Sequence, residues 1–181
     1  MGRFNGFVTE AIDNTGPVLV IAGSARADGT TMLIVRRLQG LLGERADVID
    51  LAEWRIEPFR YGGSLDRDDF RAIARAMAAR RHTIFVTPVY WYAMSGIMKI
   101  FFDRFTDLLR QPEGRALAGG TLSCVVTGTD PTPPPGFEEP FARTAAFFAM
   151  DWGGKTYVMS DRGKPLDETA LAPLAGLAGR I

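Results

Sequence analysis

The sequence predicts a three-layer α/β sandwich built on a parallel sheet. Three observations carry this. Short β-rich runs and helical stretches alternate five times along 181 residues. The β-rich runs, among them VLVIAG at 18–23 and TIFVTPV at 83–89, are continuously apolar, which marks strands covered on both faces. Informative loops at 23–31, 87–95 and 127–137 follow the first, third and fourth runs, and open parallel sheets bind ligands beyond those strand ends.

Residues 1–16 read as a lead-in to one domain spanning 1–181. The first strand, 18–23, ends at Gly23. In the helix expected over 31–42, Leu33, Ile34, Leu38, Leu41 and Leu42 recur at helical period, with Arg36, Arg37 and Gln39 polar. A second strand, 46–51, leads into a loop with Pro58, Gly62 and Gly63. A helix over 65–81 would carry Asp66, Asp68 and Asp69 in its first turn and Arg80 and Arg81 in its last, as the helix dipole favours. The third strand, 83–89, precedes a strongly apolar helix at 95–109. A fourth strand at 121–127 is followed by Pro131, Pro133, Pro134 and Pro135, which hold off the next helix until 138–150. A fifth strand at 155–159 and an Ala-rich helix at 168–177 complete the pattern.

Composition narrows the function. Lys and Arg number 21, Asp and Glu 21, and no basic tract forms, so no nucleic-acid or anionic membrane partner is expected. The one cysteine, Cys124, lies in the strand-like TLSCVVTG, which excludes an internal disulfide and a Cys-rich zinc or iron–sulfur site. It also lacks the Arg six residues on that a Cys-based phosphatase needs. No run reaches roughly 18 apolar residues, and no signal-like core opens the chain, so a cytoplasmic location is expected.

Three loops carry the chemistry. GSARADGTT, 23–31, joins a strand to a helix N-terminus, where backbone N–H groups bind anions. Ser24, Thr30 and Thr31 add hydroxyls, Arg26 a charge-assisted donor, and Gly29 permits close backbone approach. Thr30 as a plain helix cap is the competing reading. The loop is neither a Walker loop nor a GxGxxG turn. TPVYWYAMSG, 87–96, sets Tyr90, Trp91 and Tyr92 in a row at a strand exit, and three consecutive side chains cannot all enter one core. In TGTDPTPPPG, 127–136, Gly128 and Thr129 are placed to close over the far side of a planar ligand, though a structural turn explains the segment equally well.

TPVYWYAMSGIMKIFFDR, 87–104, resembles the segment after the third strand in the NADPH-dependent FMN reductase family, which comprises flavodoxin-like quinone, azo-dye and flavin reductases. Thr87, Pro88, Tyr90, Trp91, Ser95, Gly96, Met98, Lys99, Asp103 and Arg104 carry the match, and GSARADGTT is similar to that family's phosphate loop. The resemblance spans about residues 17–160. It implies a flavodoxin-like sheet of strand order 2-1-3-4-5 and an FMN cofactor reduced by NADPH or NADH. By the same resemblance Ser24, Arg26, Thr30 and Thr31 hold the FMN phosphate, while Pro88, Val89, Tyr90 and Trp91 contact the ring. Tyr92-Ala93 departs from the family, which often has Gly or a small residue there, and places Tyr92 above the ring. The Cys-rich segment of iron–sulfur flavoprotein relatives is absent.

On this reading the cofactor carries the chemistry and no catalytic side chain is named. A ping-pong exchange, nicotinamide first and then a quinone, flavin or azo acceptor, follows from the resemblance. His82 precedes the third strand at the end away from the crevice. The apolar excess of the 95–109 helix implies a second cover, and the resemblance implies pairing through that helix as a homodimer or homotetramer. Two rivals share the pattern: a flavodoxin-type electron carrier, which is usually strongly acidic where this chain is neutral, and a regulatory module without nicotinamide turnover.

Overall fold

The computed structural model describes residues 17–161 and 164–181; the lead-in expected over 1–16 lies outside them. Five strands, β1 (Val18–Ala22), β2 (Ala46–Asp50), β3 (His82–Pro88), β4 (Thr121–Gly128) and β5 (Asp151–Met159), form one parallel sheet of order β2-β1-β3-β4-β5. This is the predicted flavodoxin-like order, and the central strands are buried except at the ends of β3 and β4, as their continuous apolar runs require.

Strand alternation divides the core into two faces. Val18, Val20, Ala22, Ile84, Val86, Val125 and Val158 pack beneath α1 (Thr30–Leu42) and α6 (Glu168–Ala178). Leu19, Ile21, Phe85, Leu122, Cys124 and Val126 face α2 (Phe70–Ala78), α3 (Gly96–Asp103) and α5 (Glu139–Phe147). A short helix, α4 (Pro112–Ala116), was not anticipated; Pro112 opens it at the first helical position, where a missing N–H costs nothing.

The helix expected over 65–81 is broken. A 3-10 turn, Leu65–Arg67, precedes α2, and the acidic residues read as dipole partners do other work. The Asp68 carboxylate accepts from Glu57 N at 2.7 Å and Phe70 N at 3.1 Å, and Asp69 accepts from Arg55 N at 2.9 Å. Side chains that bond backbone donors in this way compete with the helix ladder. Arg80 lies beyond the helix, is buried, and pairs with Asp47 at 2.5 Å. The 95–109 helix likewise divides into α3 and a 3-10 segment, Arg104–Leu108. Strand β5 starts four residues before its predicted start. Gly153 and Gly154 hid it, because they form an irregularity opposite Ser123 in which Gly154 takes φ +93°. A Cβ on Gly153 would lie 2.3 Å from Ser123 Oγ, whose hydroxyl sits 2.8 Å from His82 Nε2. His82 is thus at the N-terminal sheet edge, as the sequence implies, and burial lowers its pKa.

Much of the apolar excess of α3 and its 3-10 extension is covered within the chain. Phe101 and Phe105 pack on Phe70 of α2, and Phe102 and Phe105 pack on Phe141 and Phe148 from α5 and its end. Leu109 and Phe147 remain 53% and 69% exposed. Among the described residues, no helix is long and apolar enough to cross a membrane.

Candidate functional site

At the C-terminal sheet edge, β1, β3 and β4 release the three loops, with Ala22 in register with Val86 and Pro88 with Thr127. The first loop opens as an anion cradle. Helix α1 has Gly29 as its N-cap, no side-chain cap and no acidic residue in its first turn. Thr30 is therefore the first helical residue, not the cap. Among the described residues the N–H groups of Ala25, Ala27, Asp28, Thr30 and Thr31 have no protein acceptor. Such donors, with the positive end of a 13-residue helix, suit a phosphate. Ser24 and Thr31 are buried, and Ser24 Oγ accepts from Arg26 N at 3.3 Å. Arg26 is exposed and pairs with Asp28 at 3.3 Å, so it reaches toward solvent and is not packed into the loop.

A hydroxyl joins this loop to the next. Ser95 Oγ donates to the Gly23 carbonyl at 2.6 Å and accepts from Met98 N at 3.1 Å, capping α3. Thr87 Oγ1 accepts from Ser95 N at 3.1 Å. Gly23 must be glycine for this approach, since a Cβ would fall 2.6 Å from the Met98 side chain. Sequence reasoning used Thr87 and Ser95 only as motif positions. The Ser–x–x spacing to Met98 was the available sign of a cap, but the bond to Gly23 spans 72 residues and leaves no local mark.

Beyond Pro88 the chain turns back on itself. Val89 N donates to Thr127 O at 2.8 Å, while Tyr90 and Ala93 exchange backbone bonds at 2.9 and 3.1 Å. Trp91 and Tyr92 occupy the centre of this turn with φ +49° and +65°. Positive φ at both positions is the type I′ pattern, normally the province of Asn and Gly. A left-handed non-glycine residue costs on the order of 1–3 kcal/mol. The three residues are 47% (Tyr90), 93% (Trp91) and 71% (Tyr92) exposed, so none belongs to the core.

The third loop leans on Tyr157. A Cβ at Gly128 would lie 2.8 Å from the Tyr157 hydroxyl and 3.2 Å from Val89, so only glycine fits between them. Tyr157 donates to Asp130 O at 2.7 Å, and burial, then the nearby Asp130 charge, raises its pKa. Thr129 is exposed beside it. Asp50, at the end of β2 in register with Ala22, was not anticipated; burial pushes its carboxyl up against the opposing hydrogen bond from Ala52 N. The structure thus brings the three predicted loops to one edge. Anion donors stand at α1, and flat aromatic surface and backbone stand at β3 and β4. That division fits a phosphate-bearing planar cofactor.

Known proteins agree. Residues 17–132 match the family described as NADPH-dependent FMN reductase. YwqN of Bacillus subtilis (strain 168), named as an NAD(P)H-dependent FMN-containing oxidoreductase, is 33% identical over 101 residues, covering 52% of this chain and 55% of YwqN. The match thus spans about half the length of that relative. The Trp repressor binding protein from Bacillus subtilis superposes with a TM-score of 0.70 at 23% identity, covering 88% of this chain and 96% of that one. An FMN-dependent NADH-azoreductase from Bacillus anthracis str. Ames Ancestor, solved with FMN, superposes at 0.64 with 13% identity, covering 90% and 97%. These two show the shared fold. With its sheet order, its loop pair and the match over 17–132, this chain belongs to the NADPH-dependent FMN reductase family.

Proposed function

We propose that this chain is a single-domain, cytoplasmic FMN-dependent oxidoreductase that takes hydride from NADPH or NADH. A small quinone, flavin or azo compound then takes it in a second half-reaction at the same site. The observation that carries this is the coupling of the α1 anion cradle to the aromatic turn through Ser95 and Gly23. This bond ties the first loop to the start of α3, beside the aromatic turn. FMN, when bound, supplies the hydride chemistry. The chain's own residues bind and orient. Ser24, Thr30, Thr31 and the N–H groups around Gly29 hold the phosphate, with Arg26 swinging from Asp28 to reach it. Backbone at Pro88 and Val89, with Tyr90 and Trp91, flanks the ring on one side, and Gly128 and Thr129 on the other.

Purified protein is expected to be yellow, or to quench added FMN fluorescence at micromolar concentration, and then to oxidise NADPH or NADH with a quinone present. A colourless protein that leaves FMN fluorescence unchanged overturns the reading. FMN binding without nicotinamide turnover supports the electron-carrier alternative instead. The exposed Leu109 and Phe147 support pairing of two chains through this side, with a homotetramer as the larger assembly.

A further inference from the structure

The Trp91–Tyr92 turn is built against its own backbone preference, and the fold gives no reason for it. Gly would hold both positive φ angles without strain, and Asn or Asp with less of it, yet two of the largest side chains stand there. Neither ring contributes to the core, since Trp91 is 93% and Tyr92 71% exposed. The base of the turn is firm: Tyr90 and Ala93 bond to each other, Val89 bonds to Thr127, and Ser95 bonds to Gly23. Strain held on a firm base at the C-terminal sheet edge points to a role outside folding. Flat, uncharged rings presented to solvent recognise other flat rings.

We propose that Tyr92, presented beside Trp91 on this turn, selects the second substrate by offering a stacking surface to planar aromatic acceptors, and is not a wall of the cofactor. This rests on the FMN-dependent reading above. Tyr92 then sets the KM for a flat acceptor without affecting cofactor affinity, and an acceptor that takes electrons without stacking is indifferent to it.

The test compares wild type with Tyr92→Gly and Tyr92→Phe as FMN-loaded full-length protein, using menadione as planar acceptor and ferricyanide as non-stacking acceptor. Tyr92→Gly is expected to raise the menadione KM at least fivefold more than the ferricyanide KM and to leave the mass by light scattering at that of wild type. Its thermal midpoint is expected to stay level or rise by up to about 2–4 °C, as relief of left-handed strain dictates. Tyr92→Phe keeps the ring and is expected to match wild type. Menadione quenching of protein fluorescence, which needs neither FMN nor turnover, is expected to weaken at least fivefold in Tyr92→Gly. An unchanged menadione KM and quench, an equal loss with ferricyanide, or a lower thermal midpoint overturns the proposal. So does a change of mass, which makes the turn a subunit contact. Failure of wild type to bind FMN counts against the cofactor reading alone, and the quench still decides the role of Tyr92.

Discussion

Arg104 has no exposed surface, and its charge is held from four directions. It pairs with Asp68, whose side chain is fully buried, donates from Nε to Asp107 at 2.5 Å and from Nη1 to Glu57 O at 3.0 Å, and lies 4.8 Å above the Phe70 ring. Removing it strands Asp68 without a countercharge. Arg104→Ala is therefore expected to lose about 3–5 kcal/mol in urea denaturation. Burial pushes the Asp68 carboxyl up, but hydrogen bonds from Arg104 and from the Glu57 and Phe70 N–H groups outweigh it and hold the carboxyl below the ordinary range. A carboxyl depressed in the folded state adds stability that is complete above its unfolded value of roughly 3.9. That stability disappears as pH falls through the folded value. Stability measured from pH 6 to 3 is expected to fall less steeply in Asp68→Asn than in wild type. At the cofactor end, Arg26→Ala is expected to weaken FMN binding by about 1.5–3 kcal/mol, measured by fluorescence titration, and an unchanged constant places Arg26 outside the site. Asp103-Arg104 was visible in the sequence as a motif, but its use was not. The partner of Arg104 lies 36 residues away, in a stretch read as a helix turn.

Ser95 shows what one element's cap does for two loops. Its hydroxyl both closes the N-terminus of α3 and grips the carbonyl of Gly23. Ser95→Ala is expected to cost about 1–3 kcal/mol, the sum of a lost cap and a lost buried hydrogen bond. It is also expected to weaken FMN binding, because the cradle loses its tie to the aromatic turn. Equal FMN affinity in the variant, with the denaturation midpoint lowered, would reduce Ser95 to a structural cap. The strands were legible because buried parallel strands are written as unbroken apolar runs, and β1, β3 and β4 carry such runs. The breaks in the 65–81 and 95–109 helices were not, since the hydrophobic period continues across them. Asp68 is bonded to the Glu57 N–H group, and Arg104 to Asp68, by contacts that no local window contains. The loops that form the site were legible as a set, but the left-handed turn at Trp91–Tyr92 was not, because its residues contradict the composition by which such turns are recognised.

At the scale of the whole molecule, an apolar groove stands out among the described residues. Phe102, Phe105, Thr106, Leu109, Phe147 and Phe148 line a groove of about 310 Å³ between the α3 extension and α5. If two chains pair here, wild type is expected to scatter as more than one chain at micromolar concentration and Phe147→Asp as one. A single-chain mass for wild type at every concentration removes the pairing. The charge arrangement of the fold also predicts how it responds to salt. Arg37–Glu168, Arg143–Glu139 and Lys164–Asp161 lie on the surface, where added electrolyte screens them within a few ångströms. The Arg104–Asp68 pair is sealed beneath Phe70, and mobile ions do not reach it. Molar sodium chloride should therefore erase the contribution of the outer pairs and leave the β2–α2 connection bound to the 3-10 segment that follows α3. The order in which regions exchange their amide protons would then be the same in brine as in dilute buffer.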